Sequence, residues 1–324
     1  MCFGQNVRIM IPFPGRINGI IISGHDRQAN SFGNSFNTYR GTIGMYTKVR
    51  DLLAMGKEYN ACILAFDCAD VNMIRSVCMG AEKAKKPVII MLHPSPIYKS
   101  ILPFGVFAQT TKYFADRVSV PVGLHLDHCG DFDEILTAIH EGFDSVMADG
   151  SLLPLDENIA FTKKVVEVAR NFGVDVEGEL GHVGIAMESD DFSKKEFFTK
   201  PDEVTRFTEE TGVTSLAVSF GSAHGLYKFP PKLDIDHLIE LRNATGTPLV
   251  LHGGTGIGDD QLKAAFANGI NKINIGTEFY MLNTRLNKEF YADDTQAPYT
   301  FPAYIQPVLA DYIAKRLELC TIEL

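Results

Sequence analysis

Three histidines of this chain stand where apolar runs give way to glycine and polar residues: His128 in LHLDHCG, His224 in GSAHGLY and His252 in LHGGTG. Three neutral imidazoles arriving from separate segments, with a fourth position left open, describe a catalytic zinc site. Any one alone is as readily a hydrogen-bonded structural histidine; three at equivalent positions are not. Asp127 sits beside His128, and His125 stands two residues back, where it supports a ligand rather than acting as one. Cys129 reads as a small buried hydrophobe, not a soft ligand. His140 and His237 fall in helical stretches and read as surface residues. His25 lies near the N-terminus, His182 in a loop within reach of substrate, and His93 at the end of an apolar run.

A second chemistry is anion binding. The segments GSAHG (221–225), HGGTG (252–256) and NIGT (274–277) place glycines and hydroxyls after three successive apolar runs. Glycine lets backbone N–H groups approach a phosphate closely, and Lys228, just beyond GSAHGLY, offers a cation. Other runs also end in polar residues: Asp67 after ILAF, Asp149-Gly-Ser151, and Glu177 with Glu179 in VDVEGEL.

What must position these residues is a repeating scaffold. From residue 61 onward, short β-branched runs recur as ACILAF, PVIIML, PVGLHL, DSVMAD, VDVEGEL, SLAVSF, PLVLHG and KINIGT. Amphipathic stretches such as VNMIRSVCMGAEKAKK, DFDEILTAIHEGF, ENIAFTKKVVEVARNFG and PDEVTRFTEETG lie between them. Asp156 and Pro201–Asp202 mark helix starts, and Gly142, Gly173, Gly212 and Gly269 mark helix stops. Eight strands alternating with helices predict a single (β/α)₈ TIM barrel. The competing doubly wound sheet lacks its GxGxxG after the first strand. In a barrel the C-terminal ends of the strands carry the chemistry, and a phosphate site commonly follows strands seven and eight. The candidate residues all fall at that rim.

Residues 1–44 differ from the rest, with four arginines against one acid, Asp26, and no sustained period. A transit segment, a disordered arm and a start codon upstream of a true one at Met45 all fit that composition. The reading adopted is an N-terminal extension outside the fold, with the barrel spanning 45–324.

A formal net charge of −10 and the absence of a basic block exclude a nucleic-acid or anionic-membrane surface. No apolar run approaches the roughly 18 residues that a membrane span needs. Six irregularly spaced cysteines without a CxxC point to reduced thiols in a cytoplasmic protein.

Taken together, LHLDH, DGS, EGELG, GSAHGLYK, LHGGTGI and KINIGTE closely resemble, in order and spacing, the class II, metal-dependent ketose-bisphosphate aldolases. The resemblance runs from about residue 46 to the end. It implies that His128, His224 and His252 hold Zn²⁺ and that Asp127 is the acid/base on the C4 hydroxyl side of the cleaved bond. It places Gly225, Gly253, Thr255, Asn274 and Thr277 around the ketose C1 phosphate and dihydroxyacetone portion, with a monovalent cation, Na⁺ or K⁺, near the phosphate. Asp67, Ser151, Lys228 and Gly276 join the substrate contacts. Asp149 and Glu179 support the ligands or form a second metal site. The partner is a phosphorylated ketose, and the assembly expected is a homodimer or homotetramer.

The chemistry fits these demands. Cleaving C3–C4 of a ketose leaves a carbanion beside a carbonyl, which zinc stabilises as a Lewis acid. No Schiff-base lysine is then needed, and Lys272 is expected to open its strand at the end away from the site.

Several positions depart from the family pattern. After EGELG the chain reads GHVGIAMESDD, so Ile185 replaces a glycine and Met187 falls where a carboxylate is usual. Glu188, one residue later, is the first candidate for that carboxylate's role, with Asp190 or Asp191 as alternatives. Asp67 replaces a substrate-contacting asparagine, and Gly276 stands where fructose-type members often carry an acid. Fructose 1,6-bisphosphate is the favoured substrate, with tagatose 1,6-bisphosphate or a related ketose phosphate as alternative. A reading from another class is a non-catalytic sugar-phosphate-binding barrel, favoured by Met187.

Overall fold

The computed structural model describes residues 45–181, 183–184, 186–187 and 193–324. The expected extension 1–44, the loop carboxylates Glu188, Asp190 and Asp191, and the loop residues His182 and Ile185 lie outside that set. Thr42–Leu324 forms one compact unit.

Eight parallel strands close into a barrel in sequence order: β1 Ile63–Asp67, β2 Val88–Leu92, β3 Val122–Cys129, β4 Ser145–Ala148, β5 Asp175–Leu180, β6 Ser215–Val218, β7 Leu249–Leu251 and β8 Ile270–Ile275. Closure is made by β1 on β8, with Ala65 opposite Asn274. Each predicted run became a strand, and the (β/α)₈ expectation holds. Helices fill the connections because their apolar residues recur on one face and bury against the sheet. Gly173 and Gly212 end their helices in the left-handed conformation, as expected of glycine there. Asp156 is a first-turn residue rather than a cap, since its helix begins at Leu155 behind Pro154.

Two boundaries matter for the site. β3 runs three residues past the apolar stretch, to Cys129, and so includes His128. β8 starts at Ile270, two residues before Lys272. Lys272 therefore does not open its strand; it lies inside the barrel and is fully buried. The sequence reading missed this because Ile270-Asn271 follow a helix-stopping glycine without a clear apolar run.

Helix Val49–Glu58 was not anticipated. Thr47 N–H donates to the Val122 carbonyl, and Val122 N–H to that of Met45, so the segment entering the helix pairs with the start of β3. Leu52 and Val49 then occupy the space above Gly123, where a Cβ would meet the Leu52 side chain at 2.8 Å. The helix packs against β1, β3 and β8 near their N-terminal ends. The opposite rim is left for the cavity.

Candidate active site

Along a regular strand, consecutive side chains point to opposite faces. His125 and Asp127 obey this rule and are both buried. His128 then breaks it. Its φ is +37°, and the β3–β4 register shifts between Leu126 and Cys129. Such a bulge re-aims a side chain at the price of a sparsely populated backbone conformation. Asp127 and His128 consequently both line one cavity of about 800 Å³ at the barrel mouth.

His224, from the loop after β6, and His252, after β7, close on His128. One nitrogen from each of the three rings lies within 4.8 Å of the others. The remaining nitrogens are each engaged by an acceptor. His128 Nδ1 lies 2.9 Å from Asp149 Oδ2. His224 Nδ1 lies 2.9 Å from the Val183 carbonyl. His252 Nε2 lies 3.0 Å from Glu177 Oε1. Carboxylate and carbonyl oxygens accept only, so His128 and His224 put their N–H there and turn a lone pair inward. For His252, Glu177 at Nε2 is the shorter of two carboxylate contacts, and Asn274 Nδ2 also lies 3.2 Å from that nitrogen. His128 Nε2 and His224 Nε2 then face each other at 3.1 Å. His252 Nδ1 lies 3.2 Å from Glu179 Oε2, yet both atoms are buried without a hydrogen bond among the described residues. Lone pairs facing one another this closely call for a proton or a cation between them, so the donor set fits a metal ion.

Asp149 also accepts from the Ser151 hydroxyl at 2.7 Å. Glu179 accepts from Val183 N–H at 3.3 Å, steadying the residue whose carbonyl orients His224. His128, Asp149 and Glu179 form a second group of converging ligand atoms.

Asp127 is held from the other side. Asn274, on β8, donates through Nδ2 to Asp127 Oδ1 at 2.7 Å. Asp67, ending β1, brings a second carboxyl to the cavity, and its Oδ1 has no hydrogen-bond partner among the described residues. A Cβ at Gly276 would stand 2.8 Å from Asp67 Oδ2. The Asp67 carboxyl thus fills the space that any side chain at 276 would enter.

Gly225, Gly253, Thr255, Gly276 and Thr277 line the same cavity with Ser151 and Tyr280. Gly253 has φ +68°, and a Cβ there would stand 2.1 Å from the Ala223 carbonyl, so the loops after β6 and β7 touch only because it is glycine. The Tyr227 hydroxyl clasps them, accepting from Ala223 N–H at 2.7 Å and lying 2.9 Å from the Gly253 carbonyl. Thr277 opens helix Thr277–Tyr291, and the positive end of a helix suits an anion. Glu278 N–H donates to Thr255 Oγ1 at 3.3 Å, tying the helix start to the loop after β7. Lys228 is not brought to this end. Tyr227 is turned inward, leaving Lys228 exposed and outside the cavity lining.

The chain matches the family model described as class-II fructose-bisphosphate aldolase over residues 47–322. It belongs to that family. Among curated relatives, it is 37% identical over 247 residues to the "Probable fructose-bisphosphate aldolase" of Bacillus subtilis (strain 168), covering 75% of this chain and 85% of that one. It is likewise 37% identical over 231 residues to the fructose-bisphosphate aldolase of Geobacillus stearothermophilus, covering 71% of this chain and 80% of that one. The crystal structure of the YdjI aldolase from Escherichia coli K12 superposes with a TM-score of 0.76 at 30% identity, covering 86% of this chain and 98% of that one.

The electrostatics of this class II aldolase separate two carboxyls. Burial raises the Asp67 carboxyl well above its ordinary range, and repulsion from Asp127 adds to it. Burial acts on Asp127 too, but His128, His252 and Lys272 outweigh it and hold that carboxyl below its usual value. Asp127 is thus the carboxyl that favours its charged form, and Asp67 the one that holds its proton more tightly. Burial and the neighbouring imidazoles push His224 down to about 4. Burial opposes charge on His128 as well, yet Asp127 and Asp149 carry it up to about 10.

The remaining sequence assignments divide. His125 does not support the other histidines: its Nδ1 pairs with Ser145 Oγ at 2.7 Å, beneath the site. Cys129 is buried against the Asp131 carbonyl, as a small hydrophobe would be. His140 is exposed, whereas His237 is not a free surface residue, since its Nε2 reaches the Thr199 carbonyl at 2.8 Å. Two participants were missed. Glu177 was noted but given no role, and Lys272 was set aside. Their spacing was the available signal: Glu177 and Glu179, like Lys272 and Asn274, are two apart and so share a face.

Proposed function

We propose that this aldolase reversibly cleaves a ketose 1,6-bisphosphate, fructose 1,6-bisphosphate before tagatose 1,6-bisphosphate, into dihydroxyacetone phosphate and glyceraldehyde 3-phosphate. The observation that carries this reading is the convergence of three imidazole nitrogens beside the buried Asp127 carboxyl in one cavity. His128, His224 and His252 would hold Zn²⁺, which supplies Lewis-acid polarisation of the ketose carbonyl. Asp127, kept anionic by its cationic surroundings, takes the C4 hydroxyl proton as the C3–C4 bond breaks and returns it in condensation. Asn274 holds that carboxylate toward the cavity. Gly225, Gly253, Thr255 and the helix start at Thr277 receive the C1 phosphate, with Na⁺ or K⁺ beside it. Ser151, Asp67 and Gly276 face the rest of the sugar. Glu188 is assigned the proton exchange on the dihydroxyacetone carbon. Asp149 and Glu179 orient the zinc ligands and, with His128, offer a second metal position.

The protein is proposed to act in the cytoplasm as a homodimer or homotetramer, with residues 1–44 outside the catalytic barrel. The test is a cleavage assay across several ketose phosphates on the full chain, with and without a chelator, repeated on residues 45–324. Chelator-sensitive cleavage of fructose 1,6-bisphosphate supports the reading. Binding of ketose phosphates without cleavage of any of them would replace it with the non-catalytic alternative.

A further inference from the structure

Beneath the cavity, the Lys272 ammonium meets three acceptor atoms: Glu177 Oε1 at 3.1 Å, Glu177 Oε2 at 2.9 Å and Asn274 Oδ1 at 2.8 Å. Its side chain has no solvent exposure, and it is absent from the residues lining the cavity. It therefore cannot act on substrate directly, as a Schiff-base lysine must. A buried ion pair is a poor source of stability compared with apolar residues of the same volume. Its position between two working groups gives it a different significance.

On one side, Glu177 accepts from His252 and sets the tautomer that turns Nδ1 inward. On the other lies Asn274, whose amide could present either end to Asp127. An ammonium only donates and a carboxylate only accepts. Lys272 therefore claims the carbonyl end of the amide, and the NH₂ end is left to donate to Asp127 at 2.7 Å. Without the lysine, a flipped amide would set carbonyl oxygen against carboxylate. We propose that Lys272 is a positioning residue that fixes the Asn274 amide and thereby holds the Asp127 carboxylate in place for proton transfer. The inference rests on the role given to Asp127 above.

The chemistry offers a readout that simple structural support would not move. Carbon–carbon cleavage needs Asp127, whereas solvent exchange of the methylene proton of dihydroxyacetone phosphate, supplied alone, does not use the C4 hydroxyl. In the zinc-loaded full chain, Lys272→Met should lower kcat for cleavage by about 10- to 100-fold, the scale of a misplaced catalytic group. Bound zinc, and exchange at saturating dihydroxyacetone phosphate, should stay within about threefold, in line with that assignment. Because the single variant leaves Glu177 without its cation, the pair Lys272→Met with Glu177→Gln is measured beside it. Glutamine keeps an acceptor for His252 and removes the unpaired charge, and the same split between cleavage and exchange is expected. Cleavage and exchange falling together with loss of zinc in both variants would overturn the inference, assigning Lys272 only to the His252 side. Unchanged cleavage would overturn it too. A wild-type protein that cleaves no ketose phosphate would remove the role of Asp127 first, and the inference with it.

Discussion

β3 and β8 reach the same cavity by opposite backbone means. β3 sends in two consecutive residues, Asp127 and His128, which a regular strand cannot do; it needs a register shift and a positive φ at His128. β8 also shifts register against β7, but before Lys272; from Lys272 to Ile275 it keeps its alternation beside β1, so Lys272 and Asn274 fall on one face and hydrogen-bond to each other. The β3 side therefore carries reactive groups at a positive φ, and the β8 side carries holding groups on regularly alternating backbone beyond its irregularity. Strain of this kind persists only where the surroundings enforce it. Here the enforcing contacts are the Asp149 bond to His128 and the Asn274 bond to Asp127.

The comparison breaks most severely at the metal. His128→Ala, His224→Ala and His252→Ala should each lose bound zinc from about one ion per chain, with cleavage falling to background, because two protein ligands seldom make a stable site. Metal analysis of the purified variants decides this. Full occupancy in any two of them would show that the lone pairs are turned inward for another purpose.

Next in size is the group that works without binding metal. Asp127→Ala should keep zinc and substrate affinity while lowering turnover by about 10²–10⁴-fold, the range for a general acid/base. If Asp127 only oriented its histidine neighbours, zinc affinity would drop by about 10- to 100-fold instead. Measuring zinc and turnover on one preparation separates the two. A variant that is slow only because its metal has gone would assign Asp127 to β3's scaffold.

The same contrast explains what could be read from sequence. The eight strands and the three histidines were visible because apolar runs and glycine-flanked histidines are local signals. LDH on β3 declared itself by composition alone. Lys272 did not, since its meaning depends on where β8 starts, and a shift of two residues separates the barrel floor from an outer end. His125 was misread for a related reason. Its neighbours His128 and Asp127 are close in sequence, but the bulge carries His128 away and leaves His125 against Ser145. Lys228 followed a glycine-rich motif, yet the inward turn is taken by Tyr227.

A smaller effect is expected where β8 ends against β1. Gly276 has φ −120°, outside the left-handed region, so alanine there meets no positive-φ penalty. Its Cβ would instead press on Asp67 Oδ2. Gly276→Ala should raise KM for the ketose by roughly tenfold, the scale of one methyl group in a packed pocket. Asp67→Ala in the same chain should remove the clash, so that the double variant is less impaired than the product of the single effects. Neighbours in contact couple in this way. Strictly multiplicative effects would show that the two positions face different parts of the substrate.

The smallest effect lies beneath the site, in the part of β3 that keeps a regular strand. His125 is fully buried, and burial, aided by the nearby Lys272 ammonium, pushes its ring down to about 3. In the unfolded chain a histidine titrates near 6.5. Between those values the unfolded state binds the extra proton, so stability rises with pH. The contribution of His125 is complete above about 6.5 and is lost progressively as pH falls toward 3, at up to about 1.4 kcal/mol per pH unit. Zinc release from the three ligand histidines would obscure this, so the comparison uses metal-free protein. Denaturant unfolding of wild type and His125→Asn from pH 6.5 to 4.5 should give a flatter dependence in the variant, whatever the offset from losing the Ser145 bond. Parallel curves would mean that His125 takes up its proton without unfolding, with Glu177, 4.0 Å away, stabilising the charge. In that case the carboxylate that orients His252 would be shared between β3 and β8, and the division between a reactive strand and a holding strand would fail at its base.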